Sequence, residues 1–130
     1  MGQLIRAIVE RYLAALNAGD ADAVAACVTD DFVNEHTSAA GHSLRGRPAY
    51  RARLTGFLAE FENLHYDVED LLVDDDRAAV AYRMTFRFRG TPVAVRGMFW
   101  FRVSNGLIAH RRDYWDGKTV EQQLTPESPV

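Results

Sequence analysis

Counting by two along the stretch Leu107 to Trp115 places Ala109, Arg111, Asp113 and Trp115 on one face of an extended segment. If that face looks inward, a carboxylate and a guanidinium enter a hydrophobic cup, and the chemistry open to them is proton transfer. Desolvation raises an Asp pKa from about 3.9, whereas a neighbouring Arg lowers it. Which effect wins decides whether Asp113 can serve as a general base near neutral pH. The alternative is a structural ion pair between Arg111 and Asp113. His36 closes a short apolar stretch just before a polar loop, a place from which a side chain can face a cavity mouth, and imidazole is already suited to proton transfer near pH 7. Tyr12 sits inside the apolar stripe of the first helical segment, so its hydroxyl must find a partner indoors.

Other chemistries are missing from the sequence. There is no P-loop, no GxGxxG after a strand, no GxSxG and no HExxH. His36, His42, His65 and His110 lack metal-ligand spacing, so neither a metal site nor a cofactor is expected. The one cysteine, Cys27, excludes an intrachain disulfide and fits a reducing cytoplasm. With 15 Lys and Arg against 18 Asp and Glu, the net charge of −3 argues against nucleic-acid binding, which needs a basic stripe. No apolar run approaches the roughly 20 residues of a membrane span. Charges at Arg6, Glu10 and Arg11 make the N-terminal segment an amphipathic helix rather than a signal peptide. The location expected is the cytoplasm. At 130 residues and 48% hydrophobic content, one domain with a real core is expected over 1–124, followed by a loose tail over 125–130.

The elements that must position these groups follow from periodicity. Leu4, Ile5, Ile8, Val9, Tyr12, Leu13 and Leu16 repeat at three and four, which predicts a first helix to Ala18. A short second helix is expected over Asp20 to Val28, a brief strand at Phe32 to Asn34, a loop at Thr37 to Arg47, and a third helix from Pro48 to about Asn63. From Leu64 the period becomes two, and four antiparallel strands are expected: Leu64–Val73, Ala78–Arg89, Val93–Val103 and Leu107–Trp115. Helices followed by a meander give an α+β fold, with the three N-terminal helices packed in the concave face of a curved antiparallel sheet. Such a cone is a usual place for a small ligand. Its expected lining is Asn34, Phe57, Phe61, Tyr82, Met84, Phe86, Phe99, Phe101 and Trp115. On the outer face Arg96, Met98, Trp100 and Arg102 form the mix a protein interface favours, so a homodimer through that face is expected.

The stretch ERYLAALNAGDADAVAACVTDDFVNEH resembles the opening of the ketosteroid isomerases, and HRRDYWD resembles the last strand of the limonene-epoxide hydrolases. Both groups, with the SnoaL-like polyketide cyclases, belong to the nuclear-transport-factor-two-like superfamily, and the resemblance, from about Leu4 to Val120, implies the same conical fold. For the isomerases it implies that the oxyanion-hole tyrosine falls on Tyr12, the catalytic aspartate on His36, and the second oxyanion-hole carboxylate on Phe99, which donates no hydrogen bond. For the epoxide hydrolases it implies that one relay aspartate falls on Asp113. The other two relay members fall on the strand carrying Val80, Tyr82 and Met84, and the water-positioning pair falls on Asn34 and His36. In the cyclases an aspartate and a histidine handle a proton on a polyketide, and Asp113 with His36 answer to that pattern.

The activity expected is therefore cofactor-independent acid–base chemistry, of cyclase or isomerase type, on a small hydrophobic carbonyl or polyketide-like molecule. Asp113 would move the proton, oriented by Arg111; His36 would be its partner acid/base or orient a water, and Tyr12 would donate to the oxyanion. Two alternatives stay open: an epoxide hydrolase, and a non-catalytic ligand-binding or dimerisation module with a filled cone.

Overall fold

The computed structural model describes residues 2–125. Apart from Thr125, the expected loose tail lies outside the described residues. α1 (Gly2–Ala18) buries Ile5, Ile8, Val9, Tyr12, Leu13 and Leu16, the apolar stripe of its sequence. α2 (Ala21–Ala25) is shorter than its Ala-rich pattern suggests, and starts where the Asp20 carboxylate accepts from the Ala23 N–H. β1 (Val28–His36) is much longer than the brief strand expected, and β2 (Leu44–Arg45) pairs with it from within the expected loop. α3 (Arg47–Glu60) begins with Pro48 in its first turn, where a missing N–H costs nothing. β3 (Phe61–Asp74), β4 (Arg77–Phe88), β5 (Thr91–Ser104) and β6 (Leu107–Trp115) form the meander.

Two features correct the expected plan. The sheet has six strands in the order β2-β1-β6-β5-β4-β3, and β1 lies parallel to β6, so it is not a pure antiparallel meander. A fourth helix, α4 (Gly117–Leu124), follows the last strand. Its cap is Asp116, whose carboxylate accepts from the Lys118 and Thr119 N–H groups. The reason for α4's position lies in β5. β6 pairs with β5 only as far as Gly97, so the backbone of Ala94 is left without a strand on that side; the Gln123 side chain takes its place, accepting from Ala94 N (2.8 Å) and donating to Ala94 O (2.7 Å).

The core fills the space between α1 and the inner face of the sheet. Tyr12, Val80, Tyr82, Phe99, Phe101 and Ile108 are fully buried there. The alternation read from the sequence is the alternation of burial in β4, where Ala78, Val80, Tyr82, Met84 and Phe86 are buried. Arg96, Met98 and Arg102 are exposed on the outer face, while half-buried Trp100 has the Arg112 guanidinium 4.3 Å from its ring centre and meets the His110 ring at nearly a right angle. No helix among the described residues is long and apolar enough to cross a membrane.

Candidate active site

The parallel pairing of β1 with β6 sets the polar heart of the molecule. Its register puts Asn34 beside Arg111 and His36 beside Asp113, so four polar side chains from two strands share one inward face. Asn34, Arg111 and Asp113 are the buried polar or charged residues among the described residues, each at most 5% exposed. They border a cavity of about 660 Å³ whose walls come from α3 (Tyr50, Arg53, Leu54, Phe57), β3 and β4 (Tyr66, Met84, Phe86), α4 (Val120) and the loop Ala40–His42.

Arg111 is held by neutral partners. Its Nε donates to Asn34 Oδ1 (2.8 Å), Nη1 donates to Tyr12 Oη (3.2 Å), Nη2 lies 3.3 Å from His36 Nε2, and the guanidinium stacks 4.9 Å from the centre of the Phe99 ring. No ion pair joins Arg111 to Asp113 among the described residues, so neither the structural ion pair nor direct orientation of Asp113 by Arg111 describes the site.

Asp113 is instead held by Tyr82, whose hydroxyl donates to Oδ1 at 2.5 Å. Tyr82 stands on β4 and Asp113 on β6, with β5 between them. The side chain can cross because residue 97 of β5 is glycine: a Cβ there would come 2.4 Å from the Tyr82 oxygen and 2.7 Å from the Tyr114 carbonyl. Burial pushes the Asp113 carboxyl above the usual carboxylate range, and the Arg111 charge and the Tyr82 hydrogen bond oppose the shift without cancelling it. The effect that makes a carboxylate a better base wins here.

His36 is a neutral imidazole. Trp115 Nε1–H, which can only donate, points at Nδ1 (3.1 Å), while Arg111 Nη2, also only a donor, faces Nε2. An imidazolium would set N–H against N–H at both nitrogens, whereas a neutral ring accepts from Trp115 at Nδ1 and opposes a donor only at Nε2. Burial foremost, then Arg111, Arg53 and His42, pull its pKa down to about 3. The 3.7 Å approach of Nδ1 to Asp113 Oδ2 is thus no ion pair. With its pKa held that low, His36 is an uncharged ring near neutral pH. The loop after β1 closes over it, and Gly41 leaves no room for a side chain: a Cβ there would sit 2.4 Å from the Cβ of His36.

Hydrogen-bond bookkeeping assigns the tyrosines. Tyr12 Oη accepts from Arg111 and lies 2.5 Å from Tyr50 Oη. If Tyr12 also accepted from Tyr50, its own proton would have no acceptor, so Tyr12 donates to Tyr50 and the Tyr50 proton is the free one. Tyr50 lines the cavity, whereas Tyr12 is fully buried behind it. Tyr50, rather than Tyr12, therefore presents a free hydroxyl proton at the cavity.

Of the expected lining, Asn34, Phe57, Phe61, Met84, Phe86 and Trp115 border the cavity. Tyr82, Phe99 and Phe101 do not: they are fully buried behind the wall, where Phe99 packs on Tyr82 and supports Arg111. Tyr50, Arg53 and Tyr66 went unnoticed in the sequence. Tyr50, Leu54, Phe57 and Phe61 stand at helical spacing, and Leu64 with Tyr66 at strand spacing, so the signal for both tyrosines was present.

The family model of the SnoaL-like domain matches residues 9–111. Among solved structures, a candidate SnoaL-like polyketide cyclase of Shewanella denitrificans superposes with a TM-score of 0.84 at 15% identity, covering 92% of this chain and 96% of that one. An LEH-like epoxide hydrolase of Mycobacterium tuberculosis gives 0.83 at 22% identity over 95% and 90%. A protein of Catenulispora acidiphila with a ketosteroid isomerase-like fold, in complex with trimethylamine, gives 0.82 at 21% identity over 92% and 97%. These likenesses establish a shared fold. No match was found among curated proteins.

Proposed function

This chain belongs to the SnoaL-like domain family, and on that premise we propose that it is an enzyme that removes a proton from a carbon beside a carbonyl group of a small hydrophobic, polyketide-like molecule. The observation that carries this reading is the carboxylate of Asp113, the one buried among the described residues, raised in pKa by its apolar surroundings and bordering a cavity of about 660 Å³. An Asp113 oxygen takes the proton. The electron pair of the C–H bond moves into the carbonyl, and the enolate oxygen that results is placed near Arg111, Asn34 and the free Tyr50 proton. Arg111 has five N–H bonds, of which three are directed at Asn34, Tyr12 and His36. Asn34 gives its oxygen to Arg111, which leaves its NH₂ group for the cavity. Where a C=C bond is conjugated with the enolate, return of the proton to the far carbon of that system moves the double bond, which is an isomerisation. Attack on a second carbonyl forms a carbon–carbon bond, and the proton from Asp113 neutralises the new alkoxide.

Epoxide opening fits less well, because it needs an acid as well as a base. His36 is neutral with a pKa near 3, and the other acidic wall residue, Glu60, is exposed. A packed interior, as a non-catalytic module would have, does not accord with a cavity of this size. The test needs no knowledge of the natural substrate. The protein is expected to speed exchange of the α-protons of 2-tetralone with deuterium in D₂O, followed by proton NMR. Exchange at the buffer rate would contradict the reading.

A further inference from the structure

Tyr66 is the buried hydroxyl of the site that the proton-transfer scheme leaves idle. Its backbone is clamped from the end of α1, where Asn17 Oδ1 accepts from Tyr66 N (2.7 Å) and Asn17 Nδ2 donates to Tyr66 O (3.2 Å). Its ring is fixed edge-on against Tyr82, 5.0 Å between centres, and tilted on Phe99 at 5.2 Å. The residue is 96% buried, being 4% exposed, yet among the described residues its hydroxyl has no hydrogen-bond partner. Every polar side-chain atom sealed off in the described interior does have one. The Tyr66 oxygen is therefore not sealed off; it opens on the cavity whose wall Tyr66 forms. A ligand that fills the cavity excludes water from this oxygen, and a hydrocarbon would leave it without a partner where an acceptor would supply one, so the arrangement favours a molecule with an oxygen at that point over its hydrocarbon counterpart.

We infer that Tyr66 is a ligand-binding residue whose hydroxyl donates to an oxygen of the bound molecule, such as a carbonyl. The inference rests on the reading of the cavity as the substrate site. It does not depend on Asp113 acting as a base. Burial and the nearby Asp113 both push the Tyr66 pKa upward, so the group is a neutral donor throughout the physiological range.

Two probes of one shape test this. 2-Acetylnaphthalene carries C=O where 2-isopropenylnaphthalene carries C=CH₂. The expected result is that the native protein binds the ketone more tightly, and that Tyr66→Phe weakens ketone binding by about three- to tenfold while leaving the alkene unchanged. The variant should melt no lower than the native protein, because the hydroxyl it loses bonds to no protein group. As a second measurement on the unaltered protein, the carbonyl ¹³C resonance of labelled ketone should move downfield on binding, as a carbonyl accepting a hydrogen bond does. Equal affinity of the native protein for both probes, no ketone binding, an unshifted carbonyl, or equal weakening of both probes in Tyr66→Phe would each overturn the inference. Ketone binding that ignores Tyr66→Phe, alongside 2-tetralone exchange by the native protein, removes this inference alone. Tyr66-dependent ketone binding without any exchange removes the enzymatic reading and leaves the inference standing.

Discussion

Asp113→Asn is expected to slow 2-tetralone exchange by roughly 10²- to 10⁴-fold, the range a positioned general base supplies, while the melting temperature at pH 7 stays level or rises. The amide keeps an oxygen to accept from Tyr82 and removes a charge that burial disfavours. The sign of the stability effect follows from linkage. A carboxyl whose folded pKa lies above its unfolded value penalises folding once pH has risen through that folded pKa, and Asn escapes the penalty. His36 works the other way: its pKa near 3 lies below the unfolded value of about 6.5, so its contribution is present above that value and is lost as pH falls toward 3. Thermal unfolding and NMR exchange on the same samples separate the two effects. A large loss of stability with exchange intact would make Asp113 a structural residue.

Arg111→Met is expected to damage both stability and activity. Methionine can still pack on Phe99, but Asn34 Oδ1 and Tyr12 Oη lose the donor they share. Buried acceptors stranded in this way cost about 1–3 kcal/mol each, so a loss of roughly 2–6 kcal/mol in urea unfolding is expected. Exchange should fall by about 10²-fold or more as the enolate loses its cation. A further signature marks the charge itself. Arg111 holds the Asp113 pKa down against burial and holds the His36 pKa down along with it, so both should rise in the variant. The alkaline shift of whatever exchange remains is read from its pH profile. A variant with native stability and an unmoved profile would mean that Arg111 neither supports the network nor tunes the base.

Much of the frame was legible because periodicity reports burial. The period-two pattern of β4 and β5 marked the inward faces, and on β6 it marked Arg111 and Asp113 as inward polar groups. The pairing of successive strands in the meander was legible from its short turns, but the partner of β1 was not, since alternation identifies a strand and not a distant neighbour. The parallel β1–β6 register, which puts His36 beside Asp113, is a tertiary fact. So is the reach of Tyr82 across Gly97, which needs three strands in register before the missing side chain acquires meaning. α4 was overlooked because its eight residues bury nothing completely; only the cap Asp116 and the four-residue step from Val120 to Leu124 announced it. Tyr82, Phe99 and Phe101 face inward as their alternation says, yet facing inward differs from bordering a cavity. Fully buried rings at the back of the wall build the site without touching what it holds.

Following the ¹³C resonance of the Asp113 carboxyl from pH 2 to pH 8, in the native protein, tests most directly whether that group is the base. The account predicts one titration with its midpoint above the ordinary value of about 3.9, matched by the midpoint of the acid limb of 2-tetralone exchange. A carboxyl that titrates at or below the ordinary value, or an exchange rate indifferent to its ionisation, would contradict it.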